Sequence, residues 1–405
     1  LFSGVLAADS GEFKYYYPTP DLVTGPDIIF FWVARMIIAG YAFCGDKPFS
    51  NVYFTGIVRD KIGRKMSKSL GNSPDPLELI DKFGADGVRM GIMLAAPAGH
   101  DIMYDDSLCE QGRNFCNKIW NAFRLVKGWE VDPAKPQPES SKRGIEWFEA
   151  ELRRTLIEVD DLMGKFRISE ALMAVYKLFW DEFSSWYLEV IKPAYGSPID
   201  GETYNETLRF FDTLLRLLHP FMPFITEELW QHLYDRKDGE SIMTAELPKA
   251  DSFNEEAISR FDHLKEVIAG IRTVRKQKQI PQRDSLELLI KGPHNPYLDC
   301  ILEKMGNLSD IRIVEEKPAA AVSFIVASTE YSIPVTANIN VEEELKKLNA
   351  DLEYHEKFLA SVRKKLSNEK FVANAPEKVV ALEKKKESDA LEKIAAVKAA
   401  IAAIS

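Results

Sequence analysis

The chain has 405 residues, 46% of them hydrophobic, enough apolar material for roughly two to four cored domains, which excludes a disordered or fibrous class. Its net charge of −10 excludes a uniformly basic nucleic-acid binder but not local cation clusters, because phosphate contact depends on where cations sit. The four cysteines, Cys44, Cys109, Cys116 and Cys300, form no CxxC pair, which argues against a protein-bound metal and fits a reducing compartment.

The N-terminus lacks the pattern of a secretory signal. The longest apolar run, Ile28 to Ile38, is interrupted by Arg35 and reads as too short to span a bilayer. A cytoplasmic protein without a membrane partner is expected. The chain opens on Leu1 with no capping or turn signal, so it is expected to be the downstream part of a longer polypeptide.

Lys14 to Pro20 is aromatic and proline-broken, and Asp21 to Asp27 reads as a break before a helical run, Ile28 to Tyr41. Gly25, Pro26 and Asp27 at the mouth of that run suggest a strand-turn-helix. Such turns lie at the C-terminal ends of parallel strands, where α/β folds bind ligands. Asp27 either caps the helix or accepts hydrogen bonds from ribose hydroxyls. Phe30, Phe31 and Trp32 are core or pocket.

After the strand-like run Val52 to Val58 comes Gly63-Arg64-Lys65-Met66-Ser67-Lys68-Ser69-Leu70-Gly71-Asn72. Glycine lets a backbone approach a ligand closely and hinges a loop. Ammonium and hydroxyl groups there can neutralise charge that develops as a triphosphate is cleaved. The competing reading is a solvated charged turn. Leu77 to Phe83, stopped by Gly84, and Asp86 to Leu94 read as short helices. His100 has no second ligand nearby.

From residue 107 to 262 the pattern is helical. Apolar residues recur at helical spacing in Phe115-Ile119-Phe123-Val126, in Leu172 to Tyr187 and in Leu208-Phe211-Leu214-Leu215-Leu218, and an antiparallel helix bundle follows. Residues 263 to 336 combine a basic helix, Leu264 to Gln279, with strand-like runs at Leu286 to Ile290, Ile311 to Val314 and Val322 to Val326, a small α+β module. Arg272, Arg275, Lys276 and Lys278 are either a solvated face or an RNA-backbone contact. In the last region, 337 to 405, Val341, Leu345, Leu348, Leu352, His355, Leu359, Val362 and Leu366 form a heptad seam, repeated by Ala390, Ile394, Val397, Ile401 and Ile404. With a turn at Ser367 to Pro376, two helices folding back into a coiled-coil hairpin are expected, as an RNA-binding arm or a dimerisation coil.

These residues together resemble the valyl-tRNA synthetase family of class I aminoacyl-tRNA synthetases. Lys65-Met66-Ser67-Lys68-Ser69 matches the second class I signature letter for letter. Thr24 to Met36 looks like the valine version of its segment, and Asp75 to Asp86, Arg113 to Trp120 and His219 to Trp230 are typical of the group. The fold implied is multidomain and mainly α. Residues 1–106 would be the C-terminal part of a Rossmann-like catalytic domain and 107–262 an anticodon-binding bundle. Residues 263–336 would be the α+β module and 337–405 a tRNA-binding arm.

The resemblance implies that Lys65 and Lys68, with Ser67 and Ser69, hold ATP phosphates, Lys68 above all. Gly25 and Asp27 would line the nucleoside site, Asp27 taking the ribose, and Trp32 and Ile28 the amino-acid side-chain pocket. The implied substrates are valine, ATP with Mg2+ and tRNA(Val), on an enzyme that is monomeric when complete. The first signature, His-x-Gly-His, is absent from the sequence, and so is the large editing insertion. The chain alone is therefore expected neither to activate valine nor to edit. The rival reading is a non-catalytic tRNA-binding or scaffolding protein derived from a synthetase.

Overall fold

A computed structural model describes residues 10–96, 100–316, 318, 321–334, 341–367 and 377–404; the side chains of 68, 341–347, 377–379, 381, 399, 400 and 402–404 lie outside that description. The chain is mostly helical and forms two compact units. One comprises Leu1–Gln137, Phe148–Leu188 and Lys192–Phe253; the other comprises Pro138–Trp147, Glu189–Ile191 and Asn254–Ser405.

The first unit begins with helix α1 (Gly11–Tyr16), strand β1 (Thr19–Thr24), helix α2 (Pro26–Cys44) and strand β2 (Phe49–Phe54). β1 and β2 run parallel, with Thr19 opposite Phe49 and Thr24 opposite Phe54. The stretch expected to break from Asp21 is thus strand as far as Thr24. Pairing outweighs its turn-like composition: Leu22 and Val23 sit opposite Val52 and Tyr53, and Asn51 Nδ2 donates to Asp21 Oδ1 at 2.8 Å. Only Gly25 turns the chain before the helix.

α2 corrects a second expectation. It starts as a 3-10 turn at Pro26–Ile28, passes through wide π turns at Ile29–Val33 and Gly40–Cys44, and stops where Gly45 takes a φ of +76°, a conformation glycine adopts without strain. At 19 residues it is long and apolar enough to cross a bilayer by length and composition alone. The apolar run ends at Ile38, but the helix continues.

β2 ends at Phe54, and the expected single strand to Val58 is instead two, because β3 (Val58–Arg59) pairs parallel with β4 (Ile102–Met103). Between them lie α3 (Pro76–Phe83), capped by the Asp75 carboxylate on Leu77 N, and α4 (Ala85–Leu94). α4 crosses α5 (Asp106–Lys127) backbone to backbone: a Cβ on Gly112 would meet Gly87 O at 2.0 Å.

The bundle continues with the latter part of α6 (Glu139–Gly164), then α7 (Ile168–Lys177), extended by wide turns through Tyr187. After the short paired strands β5 (Val131–Asp132) and β6 (Ile199–Asp200) come α8 (Gly201–Leu218) and α9 (Pro223–Leu233). Phe115, Phe179, Phe183, Phe210 and Phe211 are fully buried here. Phe183 sits 5.3 to 5.5 Å from the rings of Phe148, Phe179, Tyr187 and Phe211.

α4 ties the segment after the lysine loop to this bundle. The buried Asp86 carboxylate accepts from Phe224 N and Ile225 N at the start of α9. Arg89 donates to the carbonyls of Phe221 and Pro220. Burial raises the Asp86 pKa, while the two backbone donors pull it back down.

In the second unit, helix α10 (Glu255–Gln277) is capped by the Asn254 side chain on Ala257 N. It crosses the expected boundary at 262/263, beginning nine residues before the Leu264 read from sequence, because that capping signal precedes the basic run. A four-stranded sheet of β7 (Leu286–Lys291), β8 (Leu308–Ile313), β9 (Ala321–Val326) and β10 (Thr329–Pro334) has the order β8-β7-β10-β9. α11 (Asp299–Gly306) connects β7 to β8, which pair parallel. β10 pairs antiparallel with both neighbours and is the strand the sequence reading missed.

The arm is α12 (Val341–Leu366) and α13 (Glu377–Ile404). Leu359, Val362, Ala390, Ile394 and Val397 are buried between them. Ion pairs from Arg363 to Glu387 at 2.7 Å and from Lys398 to Glu356 at 2.9 Å fix an antiparallel register. The turn expected at 367–376 lies outside the described residues beyond Ser367.

Candidate active site

Two parts of the first unit stand at the C-terminal ends of β1 and β2. Past β1, Gly25 leads into α2 with an open side, since a Cβ there would meet nothing within 4 Å. Asp27 and Ile28 follow on an exposed turn. One turn later Trp32 is 58% exposed. Past β2, Thr55 N donates to Thr24 O at 2.9 Å, holding the two exits side by side.

From there the chain passes into β3 and the lysine loop. Asp101 anchors this passage, its carboxylate accepting from Ile57 N at 3.1 Å and from the Arg59 guanidinium. The same guanidinium holds the Asp101 carboxyl below the usual carboxylate range. Arg59 and Lys65 then bridge as antiparallel neighbours, closing a tight turn over Asp60 to Arg64 in which Gly63 takes a φ of +82°.

That turn folds around one carboxylate. Asp60 Oδ1 accepts from Ile62 N at 3.2 Å and Arg64 N at 2.8 Å, and Oδ2 from Arg64 Nε at 2.7 Å and Asn72 Nδ2 at 2.9 Å. The Asn72 hydrogen bond, followed by the Arg64 contacts, drives the Asp60 pKa far below the usual range. Asn72 comes from the far end of the loop. Its Oδ1 accepts from Ser67 N at 2.9 Å, and its Nδ2 also donates to Lys65 O at 3.3 Å.

Ser67 in turn starts a single 3-10 turn, Lys68–Leu70: its Oγ accepts from Ser69 N at 3.2 Å and lies 2.7 Å from Ser69 Oγ. Lys65 and Ser69 are exposed and Ser67 half-buried. The side chain of Lys68 is among those outside the description. Behind the loop lies a shallow cavity of about 410 Å³ lined by Asp60, Arg64, Met66, Asn72 and Tyr104.

The sequence reading assigns no role to Asp60 or Asn72. Asn72 stands inside the decamer that reading singles out, but its partner lies on the other side of a turn visible only as Gly63. Hydroxyls and ammonium groups are the visible letters of the motif; the backbone geometry that presents them comes from a carboxylate and a carboxamide.

In the second unit the candidate RNA-facing cations divide. Arg272 and Lys276 are exposed and Lys278 half-exposed at the end of α10. Arg275 is a correction: it is buried, donating Nη1 to the carbonyls of Pro281 and Asp284 and Nη2 to those of Gly306 and Asn307. Its place in the helical period turns it inward, where it closes loops that leave their carbonyls unpaired.

Three families match consecutive parts of the chain. Residues 3–105 match "tRNA synthetases class I (I, L, M and V)", 146–290 match "Anticodon-binding domain of tRNA ligase", and 340–405 match "Valyl tRNA synthetase tRNA binding arm". The valine–tRNA ligase of Phocaeicola vulgatus is 65% identical over 406 aligned positions, covering 100% of this chain and 46% of that protein. That of Parabacteroides distasonis is 62% identical, again over 100% of this chain and 46% of the relative. That of Thermotoga maritima is 39% identical over 96% of this chain and 45% of the relative. Among solved structures, a Mycobacterium tuberculosis methionyl-tRNA synthetase bound to methionyl-adenylate overlaps 62% of this chain and 52% of that one, with 21% identity and a TM-score of 0.47. The chain thus spans about half the length of the ligases it matches, and within that span three successive family matches and up to 65% identity agree: it belongs to the valine–tRNA ligase family of class I aminoacyl-tRNA synthetases.

Proposed function

We propose that this chain supplies the lysine-loop half of the adenylate site and the tRNA-binding regions of a valine–tRNA ligase. The observation that carries the reading is the identity of 65% with one such ligase along the whole chain, in a sequence that keeps both the Lys65 to Ser69 loop and the Gly25 to Asp27 turn. A non-catalytic binding protein would have no use for that loop.

In the reaction, a carboxylate oxygen of valine attacks the α-phosphorus of ATP, supplied as its magnesium complex. The bond to the bridging oxygen breaks and pyrophosphate leaves. Negative charge builds on the departing phosphates, and the ammonium groups of Lys65 and Lys68 offset it as compact point charges. Ser67 and Ser69 donate from the same loop, and Asp27 takes the ribose hydroxyls beside Gly25. Trp32 and Ile28 wall the valine side chain. The terminal ribose hydroxyl of tRNA(Val) then attacks the valyl carbonyl, releasing AMP. The bundle reads the anticodon, exposed cations on α10 contact the RNA backbone, and the arm braces the tRNA.

The remaining wall of the site, including the first class I signature, comes from the part of these ligases that this chain does not span. The complete ligase acts as a monomer in the cytoplasm, and protein rather than lipid covers the apolar face of α2.

Valine-dependent ATP–pyrophosphate exchange tests this. The chain alone should be silent. Fused behind the upstream part of the Phocaeicola vulgatus ligase, it should exchange with valine, and Lys68→Ala in that fusion should lower kcat by roughly 100-fold or more. Exchange by the chain alone at the rate of a complete ligase would overturn the division of the site. Indifference of the fusion to Lys68→Ala would overturn the role of the loop.

A further inference from the structure

We propose that Asn72, held by Asp60, is a positioning residue for adenylate formation: its carboxamide sets the backbone from Lys65 to Ser67 so that the loop's cations meet the leaving phosphates in one arrangement. The proposal rests on the reading above, in which the loop is the phosphate clamp.

The geometry that carries it is a closed circuit. One oxygen of the Asn72 carboxamide takes Ser67 N, and one nitrogen serves both Lys65 O and Asp60 Oδ2. All three contacts require a group that accepts on one side and donates on the other, as a primary amide does and a carboxylate does not. The backbone on either side of Met66 is thereby tied at Lys65 O and at Ser67 N. Asp60 is itself fixed by two backbone N–H groups and Arg64 Nε, so the reference point for Asn72 is the turn at the entrance of the loop. Entrance and exit are joined through the side chains of Asp60 and Asn72.

Ser67 is where the circuit reaches the signature. Its N–H is bound by Asn72 and its Oγ caps the turn that carries Lys68 and Ser69. Releasing Asn72 frees the residue that starts that turn, so the lysine and both serines lose their common reference. Misplacement of charged groups by a fraction of a bond length affects the transition state more than substrate binding. The signature is therefore longer than its five letters: in three dimensions it includes a carboxylate five residues before Lys65 and a carboxamide three after Ser69.

The test uses the fused ligase and reads ATP–pyrophosphate exchange per active site, counted by adenylate burst. Asn72→Ala should lower kcat roughly 10- to 100-fold, with KM for valine within about twofold, because the valine pocket lies on other elements. Asn72→Asp should be at least as damaging, since it sets two carboxylates face to face. Asp60→Asn combined with Asn72→Asp repairs only the contact between the two side chains, because the carboxylate at 72 still faces Lys65 O and the new amide nitrogen at 60 faces Arg64 Nε. It should recover no more than about twofold over Asn72→Asp alone, since the tie to Lys65 O stays broken.

A purely structural role predicts something else: fewer active sites, a lower Tm and unchanged kcat per site. That pattern would overturn the proposal, as would an Asn72→Asp variant with the kcat of the parent. Lys68→Ala in the same fusion separates the two levels. If it is silent, the phosphate reading has failed; if it abolishes exchange while Asn72→Ala does not lower kcat, only the positioning role has.

Discussion

Two aromatic regions of the first unit have similar composition and opposite fates. In the bundle, Phe179, Phe183, Phe210 and Phe211 are fully buried against one another. On α2, Phe30 is 84% exposed, Phe31 60% and Trp32 58%. The bundle helices carry apolar residues on one stripe and polar residues opposite, so neighbours within this chain satisfy them. α2 is apolar on nearly every side, and of its large side chains only Val33 is buried. An all-round apolar helix needs cover from more than one direction, and the residues described here give it one. In the proposed function the second cover is the part of the ligase outside this chain.

Exchanging one aromatic in each region gives the sharpest separation. Phe183→Ala removes a ring packed against four others and should destabilise the bundle by about 3–5 kcal/mol, read as a lower denaturant midpoint of the isolated chain. Trp32→Ala on the same chain should change stability by less than about 0.5 kcal/mol. In the fused ligase the ranking by activity should invert for any variant still folded, with Trp32→Ala raising KM for valine. A loss of stability in Trp32→Ala comparable to that of Phe183→Ala would show that α2 is covered in the free chain, and the contrast would collapse.

The same contrast can be drawn with cations. Arg275 and Lys276 are adjacent in sequence, one buried under four carbonyls and the other exposed. Arg275→Ala leaves carbonyls unpaired and should destabilise the second unit by about 2–3 kcal/mol. Lys276→Ala should leave stability unchanged within about 0.5 kcal/mol. It should instead weaken tRNA binding and reduce the slope of log affinity against log salt by about 1. Titrations at several salt concentrations check both, and equal salt slopes for Lys276→Ala and the parent would remove α10 from the RNA surface.

What the sequence reveals follows the same line between period and pairing. Helical stripes such as Phe115-Ile119-Phe123-Val126 and the seam through Leu359, Val362, Ala390, Ile394 and Val397 are legible because each burial partner recurs at fixed spacing. Thr19 to Thr24 is not, because its strand character comes from β2 thirty residues later. β10 is missed for a related reason: the turn before it is Ala327-Ser328, with Ala327 at a φ of +52°, where glycine or asparagine would have flagged a hairpin. Arg275 joins a basic cluster in one dimension and leaves it in three. At the candidate site, the lysines and serines are visible as a motif, whereas the carboxylate and carboxamide that shape the loop are twelve residues apart and acquire meaning only when the turn at Gly63 brings them together.

The smallest expected effect concerns pH and separates the bundle from the loop. His219 packs at the end of α8, with Nδ1 at 2.8 Å from Thr226 Oγ1, and Thr226 Oγ1 already donates to Met222 O, so Nδ1 is the donor in this pair. Burial lowers its pKa, partly opposed by the Glu227 and Asp86 carboxylates facing it. A histidine with a depressed folded pKa contributes stability that is complete above its unfolded value, about 6.5, and is lost as pH falls below that value. As pH falls from 7 to 5.5 the contribution of His219 should weaken, and His219→Asn, which keeps a donor but cannot titrate, should remove that part of the pH dependence. The Asp60 network has the same sign in a lower window: its carboxyl is depressed, so its contribution is complete above the unfolded carboxylate range, about 4, and is lost only at still lower pH. Amide exchange at pH 5.5 and 7 in the parent and His219→Asn should therefore show protection falling in α8 and α9 while the turn from Asp60 to Arg64 keeps its own, after correction for the intrinsic rate. Loss of protection in the turn at pH 5.5 would mean that the loop draws its stability from the bundle through Asp86 and Arg89 rather than from the carboxylate at its centre.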